Sequence, residues 1–541
     1  MPIRQLPSLS KISGLSFKPL SFVTIRFSKD YDHNILRSEC IRDSRNEFIT
    51  LDNSNNLFFD NLSQAMNTGL EQASHELVAF VHEDVFLLPE WQSHFTVSLY
   101  ELERVDPNWG VVGSVGWDDN GKLIGHWSDP HQYRNTLTDK RYACVVRLDE
   151  QILIIKKSSG LRFDQQLPVI HNIGWDISLS SKERGLRCYV LDAPTIHKYA
   201  NAMGNLIQTK NDSPKIVNRS SYAWQAEKAC SDEYFIHKWS RVLQQSVSSY
   251  DLSGFPESVK KNLDCPVILI SRGGSGSRLL SLLAQNFGLF LGNKINESGD
   301  CIDLIIPIYK ALIEKFKCHS LWQKNLIVSQ LRYAASEMLA ETDSISLWGF
   351  KLPESILLLP ELSRAFPQAR FIHLIRDPLT TCLRRTHMTA RLDNEIGRIT
   401  LPIAYQYFNI ETRKILEDTP AVHMAYTTKH QLEEALRFFR PHPFDIFKKP
   451  SQKKWLQIRF EDILKQPFEV TKLVGSWLNL RVGDDYLRNA LDINRANNPR
   501  ITYEHAQEQR VRKILHHLRV RLGYVNTSPL KVASWRPNVS T

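Results

Sequence analysis

The chain has 541 residues, of which 42% are hydrophobic and 23% are charged. This composition excludes an intrinsically disordered chain and leaves room for two or three domains. The formal net charge of +10 favours anionic partners such as phosphate-rich cofactors, lipid headgroups or nucleic acid. Zinc-finger spacing, a basic heptad region and RNP-like motifs are all absent, so we expect no nucleic-acid partner. Eight cysteines without a CxxC pair indicate neither a metal site nor a disulfide framework.

The first 20 residues are polar and punctuated by proline, which predicts a flexible N-terminus at 1–20. They lack the apolar stretch of a signal peptide. The sequence also has no run of about 18 apolar residues, the length that a transmembrane helix needs. We therefore expect a cytoplasmic protein without a transmembrane segment. Peripheral membrane contact stays open, and the sequence does not indicate the oligomeric state.

Short apolar runs alternate with helical spacing through residues 21–205, which we expect to form a first domain. The runs that predict strands lie at 22–27, 48–51, 77–81 and 111–115. Between the second and third runs, apolar residues from Leu62 to Ala73 recur at helical spacing after Asn61, a residue type favoured at N-caps. This alternation of strands and helices predicts an α/β domain with a largely parallel sheet.

Acidic residues follow two of these predicted strands. His82, Glu83 and Asp84 come directly after the strand at 77–81, and Asp52 follows the strand at 48–51. Carboxylates at the carboxyl end of a parallel strand lie where α/β folds bind ligands. Oxygen ligands at such an edge suit Mg²⁺ or Mn²⁺ bound to a diphosphate.

Further along the chain come the stretches Ile173-Gly174-Trp175-Asp176 and Ile196-His197. The order of these motifs resembles the GT-A glycosyltransferases of the family-2 type. The FVHEDV stretch is most similar to streptomycin-biosynthesis-like glycosyltransferases. The resemblance implies a Rossmann-like GT-A fold that binds a nucleotide sugar, with Asp52 at the donor site. It also implies a Mg²⁺ or Mn²⁺ site formed by Asp84, Glu83 and His197, and it makes Asp176 the base that deprotonates the acceptor.

One feature departs from that family's pattern. The tripeptide His82-Glu83-Asp84 stands where the family has DxD, so the first carboxylate is lost. A degenerate domain that binds glycan without catalysis is therefore the alternative. Four tryptophans are candidates for a wall that stacks on sugar rings, although core packing is the commoner role of this residue; they are Trp109, Trp117, Trp127 and Trp175.

Residues 206–262 are polar and helix-like in places, and we expect a helical connector there. A second domain is predicted at 263–541. Its apolar runs predict strands at 267–270, 371–375 and 456–460, and helical spacing predicts a helix at 277–287.

A glycine-rich loop joins the strand at 267–270 to this helix. Glycines let backbone N–H groups approach an anion closely, and a helix N-terminus adds positive charge. The loop also carries serine hydroxyls and cations; it reads Arg272-Gly273-Gly274-Ser275-Gly276-Ser277-Arg278. These features predict a phosphate site. The absence of GxxxxGK[ST] argues against a kinase or an ATPase.

The strand at 371–375 is followed by Arg376-Asp377-Pro378, with WGFKLPE ahead of it at 348–354 and IRFEDIL behind it at 458–464. Together with the glycine loop, these motifs resemble the PAPS-dependent sulfotransferase family over roughly 264–530, where PAPS is 3′-phosphoadenosine-5′-phosphosulfate. The resemblance implies a P-loop-like, three-layer α/β/α fold with PAPS as co-substrate. It assigns the 5′ end of PAPS to the loop residues 272–278 and the 3′-phosphate to Arg376.

The family usually has a serine eight residues after that arginine, whereas this chain has Arg384, a cation that also suits a phosphate. Related enzymes carry a proton-accepting carboxylate after the glycine-loop helix. We expect Glu297 to be this base, with Asp300 as the second candidate. Lys351 is expected to face the transferred sulfonate or the bridging oxygen. For each of these groups a solvated surface position is the alternative.

The sequence thus predicts a bifunctional, two-domain transferase. It would move a sulfuryl group from PAPS to a hydroxyl of a glycan, glycolipid or small molecule, and a glycosyl group from a nucleotide sugar. One alternative is a sulfotransferase whose N-terminal domain only binds glycan. Another is a nucleotide-binding interaction protein without catalysis.

Overall fold

The computed structural model describes residues 15–28, 30–54, 57–129, 132–137, 140–168, 171–198, 219–342, 347–384, 386–440, 454–480 and 505–525. The chain divides into two compact units. The N-terminal unit consists of residues 1–218, 227–247 and 318–320, and the C-terminal unit consists of residues 219–226, 248–317 and 321–541. No helix in the described ranges is long and apolar enough to cross a bilayer.

Thirteen strands are described in the N-terminal unit, and all the strands predicted there from apolar runs are present. They are β1 (Leu20–Arg26), β2 (Glu47–Asp52), β3 (Leu77–Val81), β4 (Val85–Leu87), β5 (Trp109–Gly113), β6 (Val115–Trp117), β7 (Leu123–Asp129), β8 (Gln132–Asn135), β9 (Tyr142–Val145), β10 (Arg147–Leu148), β11 (Ile152–Lys156), β12 (Arg187–Leu191) and β13 (Thr195–His197). The run predicted at 111–115 is divided between β5 and β6, which belong to different sheets.

The main sheet of this unit has seven strands in the order β2-β1-β3-β11-β5-β12-β9. Strand β1 pairs in parallel with β2 and β3, but β11 lies antiparallel between β3 and β5, and β9 is antiparallel to β12. Five of the seven strands run in one direction, so the expectation of a largely parallel sheet is confirmed for strand direction, and β11 and β9 are the two reversed strands. The chain from β5 to β11 passes through short antiparallel strands instead of a crossover helix, which allows the reversed direction.

Helices cover the main sheet of the N-terminal unit. They are α1 (Asp30–His33), α2 (Leu62–Gln72), α3 (Trp91–Glu103) and α4 (Ile173–Glu183). Helix α2 begins as predicted, with the Asn61 side chain accepting a hydrogen bond from the backbone of Gln64. Alternate residues of β1 and β3 enter two separate apolar cores, for example Val78 on one face and Ala79 on the other. Both faces of the sheet are thus buried.

The helices that follow along the chain are described in residues 219–521. They are α5 (Arg219–Lys238), α6 (Ser240–Leu243), α7 (Glu257–Leu263), α8 (Ser277–Asn286), α9 (Ile305–Phe316), α10 (Leu321–Ala340), α11 (Leu359–Ala365), α12 (Pro378–Cys382), α13 (Glu395–Tyr407), α14 (Lys414–Glu417), α15 (Pro420–Phe438), α16 (Phe460–Lys465), α17 (Pro467–Leu478) and α18 (His505–Arg521). Helices α5 to α7 lie within the expected connector, whose residues 206–218 are outside the described ranges.

The C-terminal unit contains a four-stranded sheet in the order β15-β14-β16-β17, and every pairing in it is parallel. Its strands are β14 (Val267–Ser271), β15 (Gly349–Lys351), β16 (Arg370–Ile375) and β17 (Trp455–Arg459). The strands predicted at 267–270, 371–375 and 456–460 and the helix predicted from residue 277 are confirmed. Because parallel strands share a direction, the segments that follow β14, β16 and β17 emerge at one edge of the sheet.

Candidate functional site

Three chain segments meet at the carboxyl edge of the C-terminal sheet. The glycine loop follows β14, Arg376 follows β16 and Phe460 follows β17. A Cβ atom placed on Gly276 would lie 2.4 Å from the Phe460 ring. The Arg376 guanidinium carbon lies 4.3 Å from the centroid of the same ring. One aromatic side chain therefore contacts both the glycine loop and the arginine, which places the two predicted nucleotide-binding motifs side by side.

The glycine loop depends on the absence of side chains at three positions. Gly274 and Gly276 have φ angles of +89° and +98°, in the left-handed region that other residues adopt only with strain. A Cβ atom on Gly273 would come within 2.3 Å of the His387 ring. The loop is thus pressed between His387 and Phe460, and Ser277 begins helix α8 directly behind it.

Side chains of the loop differ in what they contact. The buried hydroxyl of Ser275 donates to the Arg272 carbonyl oxygen at 2.5 Å, which closes the loop on itself. Arg278 is exposed in the first turn of α8. The backbone N–H groups and the positive end of α8 remain the loop's means of binding an anion.

Arg272 is an interior residue. Its side chain is 1% exposed and donates to the hydroxyls of Thr389, Thr427 and Thr428 at 2.8 to 3.1 Å. Burial lowers the pKa of Arg272 to about 10. The structure therefore places this guanidinium behind the loop, where it ties β14 to helix α15 through two of the threonines.

Arg376 differs from Arg272 in its hydrogen bonding. Its Nε and Nη1 atoms are buried and have no hydrogen-bond partner among the described residues. Burial lowers the pKa of Arg376, and the neighbouring charge of Arg384 lowers it further. Buried donors without partners are costly and rare in folded proteins. A phosphate at this position would satisfy both donors, so the observed residues fit an anionic ligand.

A buried ion pair lies one strand away from the glycine loop. Lys351, on β15, donates to the carboxylate of Asp300 and, at 2.7 Å, to the Ser298 carbonyl oxygen. The two paired side chains are 1% and 4% exposed. Lys351 is the register partner of Leu269 on β14. Two predicted catalytic residues are therefore in direct contact.

The loop that carries Asp300 is packed on helix α8. Gly299 has a φ of +72°, and a Cβ atom there would lie 2.6 Å from Cβ of Ser281. Glu297, the first choice from sequence, is exposed on the same loop. The structure thus brings the second choice, Asp300, to Lys351 and leaves Glu297 at the surface.

In the N-terminal unit, Asp84 and His197 come together. The two side chains are 3.1 Å apart at Oδ2 and Nε2. Burial by itself raises the pKa of Asp84, but the hydrogen bond and charge of His197 outweigh it, so the pKa lies below its ordinary value. The other carboxylate oxygen, Oδ1, is buried without a hydrogen-bond partner in the described ranges.

Glu83 does not join this pair. Its carboxylate accepts hydrogen bonds from the backbone of Phe27 and Ser28 and from the Ser28 hydroxyl, at 2.7 to 2.9 Å. Asp52 is exposed at the end of β2 and accepts from the backbone N–H of Ser54. Among the described residues there is no group of three His, Cys, Asp or Glu side chains arranged to hold a metal. The residues therefore do not form the three-ligand Mg²⁺ or Mn²⁺ site expected from sequence.

Asp176 is placed differently from an accessible base. It lies in the first turn of α4 and is 2% exposed. Its Oδ1 atom accepts from Lys238 Nζ and from Trp239 Nε1, both at 2.7 Å. Burial raises the pKa of Asp176 despite these donors. The expectation that Asp176 is open to an acceptor needs correction, because residues about 60 positions later cover it.

The tryptophans predicted to stack on sugar rings do not form one wall. Trp109 and Trp127 are buried, whereas Trp117 and Trp175 hold the Arg147 guanidinium between their rings at 4.5 and 4.4 Å. Trp117, Trp175 and Arg147 line a cavity of about 190 Å³ in the N-terminal unit. The faces of two of the four rings are thus turned to an arginine.

Sequence reasoning missed several residues of the C-terminal site. Phe460 was part of a recognised motif, but nothing in the sequence showed that its ring touches both Gly276 and Arg376. His387 has no motif around it and is recognisable only by its contact with Gly273. Their positions depend on contacts between distant parts of the chain.

Comparison with known proteins links part of the chain to a family. Residues 315–484 match the model of the sulfotransferase family. That range contains Lys351, Arg376, Arg384 and Phe460, whereas the glycine loop and the N-terminal unit, apart from residues 318–320, lie outside it. No curated protein matches the chain.

Solved structures of sulfotransferases are similar to it at a low level. STF9 from Mycobacterium avium has 11% identity and a TM-score of 0.33, covering 57% of this chain and 88% of that chain. The sulfotransferase domain of the curacin biosynthetic pathway has 18% identity and a TM-score of 0.26, covering 49% and 94%. STF1 from Mycobacterium tuberculosis H37Rv has 11% identity and a TM-score of 0.30, covering 59% and 97%. At these TM-scores, none of the three defines the arrangement of this chain.

The close approach of Phe460 to the glycine loop leads to a first prediction. Gly276→Ala forces a side chain into the left-handed region and against the ring, so we expect the loop to lose its shape. Binding of adenosine 3′,5′-bisphosphate, measured by calorimetry, should fall at least tenfold. Gly288→Ala is the control, because Gly288 also has positive φ but has open space around it. Unchanged binding by Gly276→Ala would contradict the required loop geometry.

Proposed function

We propose that the C-terminal unit transfers a sulfuryl group from PAPS to a hydroxyl group of a glycan or small molecule. The observation that carries this proposal is that the half-buried Arg376 beside the glycine loop has two buried donor atoms, Nε and Nη1, without a hydrogen-bond partner among the described residues. The family match at residues 315–484 supports it. In this proposal residues 263–541 are the sulfotransferase domain.

The two ends of the nucleotide are assigned to two sets of groups. Arg376 binds the 3′-phosphate through its unsatisfied Nε and Nη1 atoms, and Arg384 contributes a second positive charge. The backbone N–H groups of residues 273, 274, 276 and 277 and the N-terminus of α8 bind the 5′ end, with Ser277 and Arg278 as further donors; the Ser275 N–H is excluded because it donates to the Arg272 carbonyl oxygen. Arg272 positions the loop from behind, because its own donors are used by threonines.

The acid–base chemistry is assigned to the buried pair. Bound PAPS supplies the sulfuryl group and the leaving phosphate. Asp300 is assigned as the acceptor of the hydroxyl proton, which requires that its carboxylate, buried and held by Lys351, be released when the acceptor binds, and Lys351 offsets negative charge beside the loop. Preorganised charges in a buried site act more strongly than in water, which is the main source of rate in group transfers of this kind.

Loss of the Arg376 side chain tests the 3′-phosphate assignment. Arg376→Ala should weaken binding of adenosine 3′,5′-bisphosphate by about 10- to 100-fold, since a charged hydrogen bond is worth about 1.5–3 kcal/mol. Binding of AMP, which lacks the 3′-phosphate, should change little. Arg364→Ala is the matched control, because Arg364 is an exposed arginine of the same unit. Equal loss for both nucleotides, or none for either, would refute the assignment.

A pair of acid-to-amide variants distinguishes the two candidate bases. Asp300→Asn should lower kcat by about 100-fold or more, the usual contribution of a general base, while binding of adenosine 3′,5′-bisphosphate stays within twofold. Glu297→Gln should retain activity, because Glu297 is exposed at the surface and lies outside the buried pair to which the base is assigned. The measurement is release of that nucleotide from PAPS with a panel of phenol and sugar acceptors. The reverse pattern would make Glu297 the base.

A second candidate function concerns residues 21–205. We propose glycosyl transfer from a nucleotide sugar, supported by the buried Oδ1 atom of Asp84 at the carboxyl edge of β3, which has no hydrogen-bond partner in the described ranges and lies 4.0 Å from His82 Nδ1. His197 orients the other oxygen, and Asp52 follows β2, which is separated from β3 by β1 in the sheet. No metal-dependent step is assigned, because the described residues do not form the ligand set. Asp176 takes part as a base only if Lys238 and Trp239 release it.

Replacement of Asp84 tests this second function. Asp84→Ala should abolish hydrolysis or transfer of UDP- or GDP-sugars by the intact chain, assayed with and without Mn²⁺. Asp119→Asn, at an exposed position of the same unit, is the control. Full activity in Asp84→Ala excludes Asp84 from the reaction. Glycan binding by a wild-type chain without sugar turnover would favour the non-catalytic alternative, and binding of nucleotides with no turnover of any kind would favour an interaction protein.

A further inference from the structure

The C-terminal helix α18 is joined to the Arg376 site by a two-pronged ion pair. Arg519 donates from Nε to Oδ1 of Asp377 at 2.9 Å and from Nη2 to Oδ2 at 3.3 Å. Both side chains are about one-sixth exposed. Paired hydrogen bonds of this kind fix direction as well as charge. Helix α18 lies beyond residue 484, where the family match ends, so the similarity gives no information on it.

Asp377, directly after the end of β16, makes hydrogen bonds through both its side chain and its backbone. Its side chain accepts from the Leu379 backbone and begins helix α12, and its own backbone N–H donates to Glu461 at 3.1 Å. It is also the residue directly after Arg376. A carboxylate in that position repels a bound phosphate unless its charge is offset. Arg519 is the cation that offsets it.

A second set of contacts holds the segment directly after α18 to the sheet edge. Tyr524 donates to the other carboxylate oxygen of Glu461 at 2.9 Å, and Arg459 donates to the Leu522 carbonyl oxygen at 2.6 Å. The Arg459 guanidinium also lies 4.9 Å from the Tyr524 ring centroid. The ends of β16 and β17 are therefore bound to one segment.

The helix itself is anchored by an apolar face. Val511, Leu515 and Leu518 are buried, and α18 packs against α15 and α12. Arg519 thus projects from a fixed helix, so its position relative to Asp377 is determined before any ligand arrives.

We propose that Arg519 is a positioning residue for binding of the 3′-phosphate, acting through Asp377 by neutralising its charge and orienting the peptide that follows Arg376. This inference rests on the proposed binding of PAPS to the C-terminal unit. Arg519 itself contacts Asp377 and takes no part in the transfer chemistry. Its removal should therefore raise the KM for PAPS and leave kcat at saturation within about twofold.

The test uses the intact chain with Arg519→Met, Arg519→Lys and the double variant Arg519→Met with Asp377→Asn. Affinities for adenosine 3′,5′-bisphosphate and for AMP are measured by calorimetry. We expect Arg519→Met to weaken the bisphosphate at least tenfold and AMP less than twofold, and Arg519→Lys to restore part of the loss. The double variant should recover most of it, because asparagine can still cap α12 but carries no charge. Arg521→Met, at an exposed position of the same helix, is the control.

The outcomes separate this inference from the function on which it rests. If the wild-type chain does not bind the bisphosphate, the proposed function fails. If Arg376→Ala loses binding but Arg519→Met does not, the function stands and the role of Arg519 is refuted. Equal loss of both nucleotides in Arg519→Met, with no recovery in the double variant, would show a purely structural role. If Arg519→Met does not fold, Arg519→Lys, with and without Asp377→Asn, gives the same decision.

Discussion

The two buried donor atoms of Arg376, Nε and Nη1, are the constraint on which the candidate C-terminal site depends. Neither atom has a hydrogen-bond partner among the described residues, and burial of unsatisfied polar groups opposes folding. The fold places this cost at the edge where parallel strands end and a glycine loop begins. In the proposed function an anionic ligand offsets this cost, so that an unfavourable feature of the isolated chain would become the basis of recognition.

Three arginines near this edge have different roles because they have different partners. Arg272 is used by threonine hydroxyls behind the loop, and Arg519 is used by the carboxylate of Asp377. Arg376 keeps donors that no described residue occupies. In the proposed function the first two arginines shape the site and adjust its charge, while Arg376 binds the ligand. The neighbours that reach each arginine would then decide its role.

Unlike Arg376, most of the acidic residues singled out in the N-terminal unit have their carboxylates engaged in hydrogen bonds. Glu83 closes the turn after β1, and Asp176 is held by Lys238 and Trp239. Among the described residues expected there from sequence, Asp84 keeps a buried carboxylate oxygen, Oδ1, without a hydrogen-bond partner, although His82 Nδ1 lies 4.0 Å from it. Most of the carboxylates that a family pattern marks as functional are thus engaged in structure, which is why the proposed sugar transfer depends on a single side chain.

Local sequence alone determined the strands predicted at 267–270 and 371–375, the start of α8 and the position of the glycine loop between the first of these strands and the first turn of this helix. Apolar runs, glycine spacing and strand-end cations are properties of neighbouring residues, and short-range sterics suffice to express them. Tertiary structure alone decided the reversed direction of β11, the burial of Asp300 in preference to Glu297, the covering of Asp176 and the contact between Arg519 and Asp377. Each of these depends on a meeting of residues that are distant in the chain, and no local pattern encodes such a meeting.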